Sequence, residues 1–189
     1  MDINWFKYED ILKYSNSFTD VVYAFVVCST VPDNCTLPYE LEDCAYVGMS
    51  GGLDESYTFD RKDKNTNRGR YETQPHGRMK AHKTAFNTLT EKKYQIFSSK
   101  YSERLANGEI ICVCFMTPPK HVVQMNKISW LLWIESEMIY KYQERYKQPL
   151  LMNLGHQSNS SDKRKKPNSI SQQMVLSIRK QDIFELCGV

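Results

Sequence analysis

The stretch VVYAFVVC at residues 21–28, followed after a loop by CAYVGMS at residues 44–50, decides the fold. β-Branched and aromatic side chains fill the first run, and such residues pack well on a pleated surface while losing rotamer freedom in a helix. Both runs therefore read as strands. Pro32, Asp33, Asn34 and Pro38 mark the connecting loop, and Gly51-Gly52 ends the second strand. Their short separation predicts an antiparallel pair.

Outward from this pair, residues 4–16 place Trp5, Tyr8, Ile11 and Leu12 at helical spacing, predicting an N-terminal helix within 1–20. From Leu53 to Gly77 the composition is polar without an apolar period, predicting a long inserted loop of the kind that carries function. Helical patterns follow near Arg78 and over about 90–106. Glu109 to Met116 (EIICVCFM) predicts a third strand, closed by Pro118-Pro119, and 122–146 predicts a long helix. Residues 157–168 form a polar, basic linker, and 170–187 an amphipathic segment. The expectation is an α/β (α+β) domain over 21–156: a three-stranded, mainly antiparallel sheet flanked by helices, with insertion 53–77 and a C-terminal extension 157–189.

Composition limits the function classes. A chain of 189 residues suits one domain with modest decorations. Hydrophobic residues at 41% and aromatics at 12% supply a core, which excludes a disordered or fibrous protein. A net charge of +3 is too weak to argue for nucleic acid by itself. The six cysteines (Cys28, Cys35, Cys44, Cys112, Cys114 and Cys187) form no CxxC pair and no zinc spacing with histidine. Cys112 and Cys114 are expected on one strand face as small core residues. MDINWFKYED lacks the layout of a signal peptide, and no apolar run approaches the roughly 18 residues of a membrane span. The expectation is a soluble, cytoplasmic protein with reduced thiols, no membrane partner and no nucleotide cofactor, since no glycine-rich phosphate loop is present.

Three groups of residues carry chemistry. Glu135 falls on the apolar stripe Ile128, Leu131, Leu132, Met138, Ile139 and Tyr142 of the long helix. A carboxylate there is costly unless it is paired with a buried arginine or binds a cation, and both options stand. Glu137 lies off the stripe and is expected to be solvated, pairing with Lys141. Arg78 and His82 share one helix face four residues apart: the arginine suits a phosphate and the histidine suits proton transfer near neutral pH. For that pair taken alone, the adjacent Lys80 and Lys83 make a plain solvated basic helix the first reading and a functional pair the second. Tyr23 and Tyr46 by themselves read as ordinary sheet aromatics, but Gly48 and Ser50 share the face of Tyr46, where the glycine leaves room for an approach.

Taken together, these residues resemble the GIY-YIG nuclease superfamily from about residue 21 to residue 153. Tyr46-Val47-Gly48 stands where that family has YIG, and Val21-Val22-Tyr23 stands where it has GIY, with Val21 in place of the leading glycine. Arg78 with His82 looks like the family's Arg-x-x-x-His/Tyr element, Glu135 like its metal-binding glutamate and Asn153 like the asparagine that ends the module. The histidine variant and the insertions look most like the restriction-endonuclease branch. The resemblance implies a Mg²⁺-dependent endonuclease acting on double-stranded DNA, with Mn²⁺ as a possible substitute. Glu135 would hold the metal, Tyr23 would act as general base helped by His82 and Tyr46, and Arg78 would neutralise charge on the phosphate. Asn153 would be architectural. A type II restriction role implies a homodimer for two-strand cutting. Other readings are a phage, mobile-element or repair nuclease of looser specificity, and a non-catalytic DNA-binding module.

DNA contact is expected from the region 54–83. Lys64, Arg68, Arg70, Lys80 and Lys83 could follow the backbone, and Gln74 and His76 could reach base edges. A solvated loop is an equal reading there. Lys163-Arg164-Lys165-Lys166 reads first as a solvated linker and second as a phosphate contact.

Overall fold

The computed structural model describes residues 1–51, 74–120, 122 and 124–153, with the backbone alone for 124–129. Four strands form one antiparallel sheet: β1 (Asp2–Lys7), β2 (Val21–Cys28), β3 (Cys44–Ser50) and β4 (Ile110–Thr117), in the order β1-β4-β2-β3. The helices are α1 (Ile11–Tyr14), flanked by 3-10 turns, α2 (Pro75–Thr88), α3 (Lys92–Ala106) and α4 (Gln124–Tyr146).

β2 is central and buried along nearly its whole length. Its two faces enter two different cores, which is why it reads as a continuous apolar run and not an alternating one. Val22, Ala24 and Val26 face Trp130, Leu131, Ile134 and Met138 of α4. Val21, Tyr23, Phe25 and Val27 face Ile11 of α1, Met79 and Ala85 of α2, and Tyr94, Phe97 and Tyr101 of α3. The sheet thus lies between one long helix and a layer of shorter ones. Cys112 and Cys114 are both buried on the α4 side, as their spacing in a strand requires.

Among the described residues the sheet has four strands, not three, because the N-terminus is not the expected helix. Asp2–Lys7 pairs antiparallel with β4, Trp5 opposite Cys114. Trp5 also donates from its backbone N–H to Asn34 Oδ1 (3.2 Å) and from its indole to the Thr36 carbonyl (3.1 Å). Only Ile11–Tyr14 of the expected helix is α-helical. Pairing across more than a hundred residues outweighed a local helical period that offered few hydrogen bonds of its own.

α2 begins at Pro75, so the inserted loop ends earlier than its polar composition predicted. Proline suits the first helical turn, where its missing N–H would have had no partner. The helix ends where Leu89 turns left-handed (φ 49) and its N–H bonds the Ala85 carbonyl at 2.9 Å. Gly51 after β3 also has a positive φ (97), and a side chain there would run into the Thr19 carbonyl and Asp20.

β3 is an open edge, and the chain after α4 closes it. Met152 donates its backbone N–H to the Ala45 carbonyl at 2.8 Å. One residue on, the Asn153 side chain accepts from Val47 N–H (3.0 Å) and donates to the Val47 carbonyl (2.7 Å). A single buried amide satisfies both backbone groups that a further strand would otherwise have paired.

Candidate active site

The site forms where α2 and α3 cover the β2–β3 face. β2 and β3 pair with Tyr23 opposite Gly48 and Phe25 opposite Tyr46, and the register then slips so that Val26 faces Cys44. Ala45 is the extra residue of this bulge, which alters the local strand direction beside Tyr46. The room expected above Gly48 is filled by the chain itself: a Cβ at position 48 would lie 2.6 Å from the Tyr46 hydroxyl. Glycine is required because the Tyr46 ring lies back along its own strand. Ser50, on the same face, is buried.

His82 enters this face from α2 and is 3% exposed. Its imidazole is boxed by Phe25 (4.8 Å between centroids), Tyr46 (5.4 Å), Tyr23 (5.5 Å) and Tyr94 (6.1 Å). Its Nε2 lies 2.8 Å from the Tyr23 hydroxyl and its Nδ1 2.7 Å from the Tyr94 hydroxyl. Burial, reinforced by the positive charges of Arg78 and Lys93, holds its pKa well below the usual histidine value. The ring is neutral at physiological pH.

Arg78 lies one turn before His82 and donates Nε–H to the Tyr23 hydroxyl at 2.9 Å. It also engages the Tyr46 hydroxyl. Burial pushes the Tyr23 hydroxyl well above the ordinary tyrosine pKa, with the neighbouring Tyr46 adding to the rise and Arg78 opposing it. Tyr23 is therefore a neutral phenol in the protein alone, with its oxygen already held by a fixed cation.

Glu135 comes from α4, the layer on the opposite side of the sheet, and is half-buried. Burial raises its carboxyl pKa to about 7, against the pull of the Arg78 charge. The structure thus brings Tyr23, Tyr46, Arg78 and His82 into one bonded cluster, with Glu135 inside the field of Arg78. The expected contrast with Glu137 is corrected. Glu137 is 7% exposed, not solvated, because α4 packs there against the 3-10 turn Pro38–Glu40, and the Glu137 charge is felt by Tyr39.

The remaining residues proposed for DNA contact divide. Lys64, Arg68 and Arg70 lie outside the described residues, as does 163–166. Gln74 is the exposed residue before α2, and Lys80 is exposed on it. His76 is half-buried, its Nδ1 3.0 Å from the Ser15 hydroxyl, so its ring is tied to the N-terminal segment. Lys83 donates to the Glu9 carbonyl at 2.9 Å.

Two neighbours of the cluster escaped the sequence reading. Lys93 places its ammonium 5.8 Å from the centre of the Tyr46 ring and 5.0 Å from that of Tyr94. Tyr94 itself falls in line with Phe97 and Tyr101, all three buried. That spacing marks an ordinary core stripe, and no sequence signal shows that one hydroxyl of the stripe meets a histidine. Comparison with models of known families, with curated proteins and with solved structures finds no match to this chain.

Proposed function

We propose that the chain is a Mg²⁺-dependent DNA endonuclease of the GIY-YIG type that hydrolyses phosphodiester bonds in double-stranded DNA, with a type II restriction role. The observation that carries this reading is the Arg78–Tyr23–His82 hydrogen-bonded cluster, whose Arg78 charge also acts on the half-buried Glu135 carboxyl. Phosphodiester hydrolysis requires a group that takes a proton from water and positive charge on the phosphate. Tyr23 is the candidate base in its phenolate form, its own proton having left by way of the hydrogen-bonded Tyr46 hydroxyl: the Arg78 charge lowers the cost of an anion that burial alone would forbid. Arg78 also supplies charge that persists at every working pH and offers a planar fork of donors to phosphate oxygens. Tyr46 orients both through its hydroxyl.

Mg²⁺ fits Glu135. A carboxylate whose ionised form is penalised by burial gains from a hard cation, and Mg²⁺ keeps several waters and needs few protein oxygens. By the resemblance, Glu135 would be the single protein ligand of that ion. Bound there, Mg²⁺ or Mn²⁺ would supply charge for the departing oxygen. In this reading the exposed Gln74 and Lys80, beside and on α2, would meet the duplex next to the cluster. Two-strand cutting at a palindrome calls for two copies, so a homodimer on DNA belongs to the same reading.

The test is to incubate the chain with unmethylated phage DNA, with and without Mg²⁺, and to sequence the ends. Discrete fragments with a common end sequence support a restriction role. A smear supports a nuclease of looser choice. Binding without cutting by the unaltered chain overturns the enzyme reading.

A further inference from the structure

We propose that Tyr94 is a positioning residue: its hydroxyl donates to His82 Nδ1, fixing the imidazole proton on Nε2 and aiming it at the Tyr23 oxygen. Tyr94 is 2% exposed, so its hydroxyl proton has to find a partner within the protein. Among the described residues its one hydrogen-bond partner is His82 Nδ1, at 2.7 Å. If His82 carried its proton on Nδ1, two hydrogens would meet in that gap, or the Tyr94 proton would be left buried and unmatched. With Tyr94 as donor, Nδ1 accepts, and a neutral ring then holds its single proton on Nε2.

The consequence lies at Tyr23. Its oxygen faces His82 Nε2 at 2.8 Å and Arg78 Nε at 2.9 Å. Both nitrogens then donate, so a negative charge on the Tyr23 oxygen meets two fixed N–H groups that need no reorganisation. The groups facing His82 are Tyr23 and Tyr46 from the sheet, Arg78 from its own helix, and Lys93 and Tyr94 from α3. The two cations disfavour a second proton on the ring. Tyr94 acts through His82 and touches no reacting atom. Its value to catalysis rests on the nuclease reading; the position of the proton does not.

The test is the ¹⁵N NMR spectrum of the imidazole nitrogens in the full chain, which distinguishes protonated from unprotonated ring nitrogen. His82 is assigned among the four histidines by the resonance pair missing from His82→Gln. The unaltered chain should show Nε2 protonated and Nδ1 unprotonated, and Tyr94→Phe, which keeps the ring and loses only the hydroxyl, should mix the two tautomers. In the cleavage assay the same variant should lose about tenfold in kcat with DNA affinity unchanged, the size expected for a group that orients a reacting residue. A proton on Nδ1 in the unaltered chain, or a spectrum unmoved by Tyr94→Phe, overturns the proposal. No cleavage by the unaltered chain overturns the nuclease reading, and the spectrum alone then decides the place of the proton.

Discussion

A Cβ at Gly48 would stand 2.6 Å from the hydroxyl of Tyr46 and 2.8 Å from its ring, so these two residues of one strand share the same space. Gly48→Ala must push the ring away, and with it the hydroxyl that engages Arg78. Overpacking of this kind costs about 1–3 kcal/mol. Urea denaturation should show a loss in that range, accompanied by a drop in cleavage larger than the unfolded fraction explains. Stability and activity equal to the unaltered chain would show that the Tyr46 position is not decisive.

Arg78→Lys keeps the positive charge and loses the Nε donor to Tyr23. The expected outcome is a fall in kcat of at least about a hundredfold, because a fixed planar donor is replaced by a mobile point charge. A lysine variant that cuts normally would mean charge alone suffices, and the Arg78–Tyr23 bond would be structural.

Glu135 gives a pH signature free of any metal. Its carboxyl pKa is raised by burial to about 7 in the folded chain, above the ordinary 4.5. The folded state therefore favours the protonated acid, and this contribution to stability is present in full below 4.5 and lost as pH rises through about 7. Glu135→Gln removes that penalty. Without metal it should be more stable than the unaltered chain at pH 8, by on the order of 2 kcal/mol, and about equal to it at pH 4. Thermal melts at the two pH values measure the difference, and a gain independent of pH would place the carboxylate in solvent. With Mg²⁺ present, the same variant should not cut DNA but should still bind it. Glu137→Ala is the contrasting change: because Glu137 is buried, it should destabilise the fold while folded molecules still cut.

Asn153→Ala leaves the Val47 N–H and carbonyl without partners at the closed edge of β3. Each buried unmatched group costs about 1–3 kcal/mol, so for the two together a loss of about 2–6 kcal/mol is expected in urea. Asn153→Asp should be no better, since it keeps the acceptor, loses the donor and buries a charge. A loss below about 0.5 kcal/mol in the alanine variant would mean water takes over both bonds.

The strands β2, β3 and β4 and the helices after them were legible in the chain because their evidence is local: β-branched and aromatic runs for the strands, a 3.6-residue period for the helices. The same rule misled at the N-terminus. Trp5, Tyr8, Ile11 and Leu12 share helical spacing, but Trp5 spends its backbone and side-chain donors on Asn34 and Thr36 and pairs opposite Cys114. No local pattern foretells a partner that far away.

The residue types of the candidate site were also local knowledge, since Tyr23, Tyr46, Arg78, His82 and Glu135 stand out by type and spacing along their own elements. Which of them share a proton was not. Glu135 is half-buried as its place on the stripe implied, but Glu137, expected in solvent, is buried too, because α4 is flanked on two sides and a one-dimensional stripe records only one. Tyr94 lies on an ordinary core stripe of its helix, and nothing in that element shows that its hydroxyl meets His82 at 2.7 Å. The sequence by itself determined which segments could be strand or helix and which side chains had useful chemistry. The tertiary structure alone decided burial, partners and proton positions, because a hydrogen bond or a desolvated carboxyl depends on atoms contributed by distant parts of the chain.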